Sequence, residues 1–241
     1  MASGVIFSQP SRFSREIYKN ESGDSLSYRL LFPDYSKDIK YPLVIFLHGS
    51  GERGNDNDAQ LKWGVMNFAS DQMMSMYPCF VIAPQCPANE RWSKWGSDSK
   101  SWNKFDPIST KPMKLTLELI DDIIQKFPID KNRIYITGLS MGGMGTFDLI
   151  TRKPELFAAA LPVCGAGDIT MADRFKNIPV WIVHGSNDPA VDVKNSYNMA
   201  NALVAAGANP GLTIYPEVGH FSWLQAYSDQ LIMQWLFRQH K

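Results

Sequence analysis

The sequence predicts an α/β fold, a mainly parallel sheet with helices on both faces. Three observations carry that expectation. Short runs rich in apolar residues recur at 41–47, 80–83, 133–137, 157–164, 180–183 and 212–215, and a continuous run such as 41–47 suits a strand covered on both sides, as in a parallel sheet. Patterns of helical period lie between and after them, at 115–127, 143–150, 192–206 and 222–238, and strands alternating with helices give this architecture. Glycine-rich segments follow several of the strands, at 48–54, 138–143 and 165–167. In such sheets ligands sit at the carboxyl ends of the strands.

Taken in order, residues 25–32 alternate at first and read as a strand near a sheet edge, ended by Pro33 and Asp34. The run 41–47 opens into His48-Gly49-Ser50-Gly51-Glu52-Arg53-Gly54. Residues 59–74 fit an amphipathic helix, and 80–83 form a strand closed by Pro84. A long segment, 84–112, carries Pro84, Pro87, Pro107 and Pro112 with Trp92, Trp95 and Trp102; loops of this length inside a compact domain tend to be functional. In the helix at 115–127, Leu119, Ile120, Ile123, Ile124 and Phe127 share one face. The strand at 180–183 opens into His184-Gly185-Ser186-Asn187-Asp188, and the last strand, 212–215, is followed by Pro216-Glu217-Val218-Gly219-His220. A single domain over 1–241 is expected, since no repeat, low-complexity tract or linker interrupts the pattern.

Composition narrows the function classes. The 241 residues are 44% hydrophobic and supply one sizeable core. Lys plus Arg and Asp plus Glu balance at 24 each, so no basic surface is offered to nucleic acid or anionic lipid. No apolar run approaches the roughly 20 residues that span a bilayer. The first seven residues lack the basic start and apolar segment of a signal peptide, which leaves open a cytoplasmic protein or a chain from which a signal has been removed. Cys79, Cys86 and Cys164 make an odd count. Buried free thiols are expected, with a Cys79–Cys86 bridge as the alternative. No Cys-x-x-Cys or His-Glu-x-x-His pattern supports a metal site.

The chemistry centres on Gly138-Leu139-Ser140-Met141-Gly142, between an apolar strand and a helix whose first turn has small residues. By chance a bare Gly-x-Ser-x-Gly arises in roughly one chain of this length in ten, so its setting carries the weight. Strand, Gly-x-Ser-x-Gly and helix form a nucleophile elbow, in which a serine on a strained turn is lifted toward substrate. Such a serine needs a base, and the base an orienting carboxylate, in the chain order Ser, Asp or Glu, His. Of the four histidines, only His220 and His240 follow a suitable acid, and His240 is penultimate in the chain. His220 is therefore the expected base. Asp188 is the expected acid, with Asp192 its rival at a helix start, where capping is the ordinary role. The oxyanion hole is expected from the Met141 N–H and an N–H of the first glycine loop, Ser50 with Gly51 next. Trp223, three residues after His220, is a candidate to stack on an aryl group or a sugar, with core packing as the alternative; Trp92 is a candidate to line the cleft, with anchoring of its loop as the alternative.

With these residues in place, the chain resembles the α/β-hydrolase superfamily along essentially its whole length. More narrowly it is similar to the phospholipase/carboxylesterase and dienelactone-hydrolase type. His48-Gly49-Ser50-Gly51-Glu52-Arg53-Gly54, Ala83-Pro84-Gln85-Cys86-Pro87, Gly138–Gly143, His184–Asp188 and Gly219-His220-Phe221-Ser222-Trp223 resemble a bacterial branch of predicted peptidases bordering carbohydrate esterase family one, the feruloyl and acetyl-xylan esterases. The resemblance implies a serine carboxylesterase with Ser140, Asp188 and His220 as its triad, a small-molecule or oligosaccharide ester as substrate, no cofactor, and a secreted or periplasmic location. No large lid-like insertion is present, which argues against long-chain lipids. A prolyl-oligopeptidase-type peptidase, a thioesterase and a non-catalytic binding protein on the same fold are the alternatives.

Overall fold

The structure, a computed structural model, describes residues 12–94 and 104–241. Trp95 and Trp102 lie outside the described residues. One eight-stranded sheet runs in the order β1-β2-β4-β3-β5-β6-β7-β8. Its strands are β1 (Phe13–Lys19), β2 (Ser25–Leu31), β3 (Tyr41–Leu47), β4 (Phe80–Pro84), β5 (Ile129–Leu139), β6 (Ala159–Val163), β7 (Trp181–Gly185) and β8 (Gly211–Tyr215). β1 and β2 are antiparallel to their neighbours and the other pairs are parallel.

Alternation along the central strands divides the core between the two faces. Leu43, Ile45 and Leu47 of β3 point to one side with Ile134 and Ile136 of β5, where they meet α2 (Lys111–Lys126), α3 (Met141–Arg152) and α4 (Lys194–Ala205). Val44, Phe46 and Tyr135 point to the other side, toward residues 61–69, α5 (Trp223–Ala226) and α6 (Gln230–Arg238). Both faces of β3 are therefore dry, as its unbroken apolar run requires. α2 begins where Thr110 Oγ1 accepts the Met113 N–H, the ordinary N-cap arrangement, with Pro112 in the first turn.

β2 lies near the sheet edge, as expected, with β1 outermost and pairing from Phe13↔Leu31 to Lys19↔Ser25. Two expectations are corrected. Residues 59–74 form two 3-10 turns, Ala59–Leu61 and Val65–Ala69, before the short α1 (Asp71–Met76). Gly64, at φ 73, breaks any continuous helix there. The final helix is two, because Asp229 takes extended backbone and accepts the Leu231 and Ile232 amides as a new N-cap. All three cysteines are buried and free.

Candidate active site

Ser140 stands between the end of β5 and the first residue of α3, with φ 55 and ψ −116. Only glycine visits such backbone freely, so a serine there is held by its surroundings. Its N–H bonds Val163 O at 2.9 Å and its carbonyl accepts the Met144 N–H at 3.0 Å. The first turn of α3 lies against the end of β3: a Cβ on Gly142 would sit 1.9 Å from Leu47 O and 2.8 Å from His48 O. That contact brings the Met141 amide beside the loop that starts at His48.

His220 and Asp188 reach the serine from the loops after β8 and β7. Those loops also touch, since a Cβ on Gly185 would fall 2.3 Å from both Val218 O and Gly219 O. His220 Nε2 lies 2.8 Å from Ser140 Oγ, and His220 Nδ1 lies 2.7 Å from Asp188 Oδ2. A carboxylate only accepts, so Nδ1 carries the proton toward Asp188 and Nε2 is free to accept from Ser140. The Asp188 side chain is fully buried, while His220 is 19% exposed at the site.

Burial alone would raise the Asp188 pKa. Hydrogen bonds from His184, His220 and the Val191 and Ala190 amides outweigh it and hold the carboxyl well below the usual range. Cys164, Asp188 and His220 offer ligand atoms within 4.8 Å of one another, the one such group among the described residues. Two of the three are already spent on the relay to Ser140, and burial pushes the Cys164 thiol up, keeping it protonated. The arrangement of Asp188 and His220 can serve as a proton relay to Ser140.

The glycine loop after β3 is fixed from behind by His48. Its Nε2 accepts the Cys86 N–H at 2.9 Å, which leaves Nδ1–H to donate to Gly49 O at 2.6 Å. Burial lowers the His48 pKa to about 4, so the ring is neutral at working pH. Ser50 then opens the short turn Ser50–Glu52. The Met141 N–H, at the start of α3, has no partner within its own helix. Ser50 and Met141 therefore both present backbone amides at the ends of the adjacent strands β3 and β5.

Asp192 is exposed and accepts the Lys194 N–H at the start of α4, away from the relay. His240 is exposed near the chain end. Trp92 is a correction: it is fully buried, donates Nε1–H to His48 O at 3.0 Å, and packs on Gly145. It has no surface to offer a substrate and anchors its loop instead. Trp223 is only 5% exposed and stands edge-on to the His220 ring at 5.3 Å. The more open aromatic surface belongs to Phe221, 52% exposed, and to half-buried Trp63, with ring centroids 5.7 Å apart. Sequence reasoning missed both. Phe221 adjoins the base and offered a signal; Trp63 is brought in only by the fold.

With this geometry in hand, the model of the phospholipase/carboxylesterase family matches residues 35–231. The chain belongs to this family. It is 25% identical over 175 residues to a bifunctional acetylxylan esterase/xylanase of Neocallimastix patriciarum, covering 73% of this chain and 23% of that protein. To acyl-protein thioesterase 1 of Cryptococcus neoformans it is 27% identical over 236 residues, covering 85% of this chain and 95% of the relative. A thermostable esterase of known structure superposes with a TM-score of 0.90 at 40% identity, covering 96% of this chain and 64% of that one. The ferulic acid esterase of Anaeromyces mucronatus has the same fold, with a TM-score of 0.66 at 15% identity over 93% of this chain and 89% of that one. The fold of this family member is accordingly that of the α/β-hydrolase esterases. The chain spans well under the full length of the acetylxylan esterase/xylanase and of the thermostable esterase.

Proposed function

We propose that the chain is a serine carboxylesterase that cleaves small or sugar-linked carboxylic esters through an acyl-enzyme. The observation that carries the reading is the unbroken relay from Ser140 Oγ through His220 to Asp188 Oδ2, at 2.8 and 2.7 Å. His220 Nε2 takes the serine proton as Oγ attacks the ester carbonyl. Asp188 holds the imidazole in the tautomer that leaves Nε2 free, and stabilises the imidazolium. The Met141 and Ser50 amides receive the oxyanion. His220 then protonates the departing alcohol oxygen. It next deprotonates a water, which cleaves the acyl-serine and restores Ser140.

Phe221 and Trp63 beside the base support a substrate bearing a ring, and the acetylxylan and ferulic acid esterases among the similar proteins support a plant-polysaccharide ester. Thioester hydrolysis is the second reading, supported by the near full-length match to an acyl-protein thioesterase. The test is turnover of para-nitrophenyl acetate, methyl ferulate, a feruloylated xylo-oligosaccharide and an acyl thioester by wild type and Ser140→Ala. Wild type should hydrolyse the oxygen esters, with the variant down on the order of 10⁴-fold or more. Preference for the thioester would select the second reading. An inert wild type, or an unimpaired variant, would sink both.

A further inference from the structure

The relay has a fourth member that the sequence pattern set aside. His184, the last but one residue of β7, is fully buried. Its Nε2 lies 3.1 Å from Asp188 Oδ2 and 2.9 Å from Val191 O, and its Nδ1 lies 2.6 Å from Ser196 Oγ. Both neighbours of Nε2 are pure acceptors, so that nitrogen carries the proton. In the neutral ring Nδ1 then accepts, and the buried Ser196 hydroxyl on α4 donates to it.

Asp188 Oδ2 therefore receives two imidazole N–H groups, one from His220 and one from His184. Its other oxygen, Oδ1, receives the Ala190 and Val191 amides at 2.8 and 2.9 Å. The two amides fix one end of the carboxylate. Among the described residues, His184 alone joins His220 at the oxygen that faces the base, and it is itself held at both nitrogens. The Cys164 thiol also lies against this cluster, within 4.8 Å of Asp188 and His220; burial keeps it protonated, so it adds no charge.

Resting on the serine-hydrolase reading above, we propose that His184 is a positioning residue, which with Ser196 clamps Asp188 Oδ2 so that the carboxylate presents a fixed lone pair to His220 Nδ1–H. A buried carboxylate with one donor too few reorients or binds its remaining donor more tightly, and either change alters the base.

The experiment compares His184→Leu, His184→Gln and Ser196→Ala with wild type. It reads steady-state hydrolysis of para-nitrophenyl acetate across pH and the downfield proton resonance of the His220 Nδ1–H. Leucine fills the space without a donor. Glutamine can return an N–H to the position of Nε2. The expected result for His184→Leu is a kcat about tenfold or more below wild type with little change in KM. Its acid limb should move to higher pH, because Oδ2 then concentrates its charge on His220, and the His220 resonance should move with it. Glutamine should recover most of the loss. Wild-type kcat, profile and resonance in His184→Leu would overturn the proposal, as would a glutamine variant no better than leucine. Should the leucine variant not fold, Ser196→Ala decides. A displaced His220 resonance and a kcat lowered several-fold support the clamp, and a wild-type resonance and profile refute it. The resonance needs no substrate, so if wild type proves inert towards esters the esterase reading falls while the test of His184 still stands.

Discussion

Replacing Ser140 by glycine should stabilise the protein relative to replacing it by alanine, although both variants remove the proposed nucleophile. The reason is the backbone at φ 55 and ψ −116. A side chain held in such a region costs of order 1–3 kcal/mol. Alanine keeps that cost and glycine removes it, while both forfeit the hydrogen bond to His220, so that term cancels between them. Glycine adds unfolded-state entropy worth roughly 0.5–1 kcal/mol. Mid-range values, about 2 less about 0.75, leave about 1 kcal/mol in favour of Ser140→Gly. For a domain of this size each kcal/mol moves the midpoint by about 2–4 °C, which predicts a Tm higher by about 2–4 °C for the glycine variant. Thermal unfolding of the two purified variants, with urea midpoints as a check, measures this directly. Equal midpoints, or a more stable alanine variant, would refute the claim that the serine is held in a strained turn.

Three further outcomes follow from the same geometry. Gly142→Ala should fail to fold or lose at least about 100-fold in activity, because its Cβ meets the Leu47 carbonyl at 1.9 Å; Gly51→Ala, where a Cβ meets nothing within 4 Å, should be soluble and folded in the same expression and circular-dichroism assay. His48 is depressed from 6.5 to about 4 in the folded protein, so below pH 6.5 the unfolded chain takes up a proton that the folded chain refuses. Stability should be intact above pH 6.5 and fall by roughly 3 kcal/mol as pH drops toward 4; urea midpoints should show this slope, and His48→Gln should lack that part of it. Trp92→Phe should lower stability by about 1–3 kcal/mol through the orphaned His48 carbonyl, with KM for a small ester unchanged; a KM raised severalfold without loss of stability would restore Trp92 to the substrate site.

The central strands β3 and β4 were legible because they are buried on both faces and so apolar throughout, at 41–47 and 80–83. β1 was not, because Arg15, Glu16 and Lys19 interrupt it at an edge where one side meets solvent. The break at 228–229 was written in the sequence as a capping aspartate but was masked by the helical period on either side. That Ser140, Asp188 and His220 would come together was legible through chain order and through their positions after strands, features fixed by topology rather than by neighbours. Trp92 was misplaced, and the hydrogen bonds of His184 went unread, for the opposite reason. Whether a tryptophan in a long loop turns inward, and whether a histidine in a strand shares its proton with the carboxylate four residues on, is decided by packing that no local pattern records. The His48-Gly49 and His184-Gly185 pairs look alike, and each histidine buttresses the site from within the fold, one behind the glycine loop and the other behind the acid.

The most direct test of the relay is covalent trapping. Wild type, Ser140→Ala and His220→Ala would be treated with a fluorophosphonate, digested, and the labelled peptide mapped by mass spectrometry. An activated serine predicts one adduct, on Ser140, formed rapidly in wild type, absent in Ser140→Ala and slowed by orders of magnitude in His220→Ala. Labelling at another residue, or labelling of Ser140 at the same rate without His220, would contradict it.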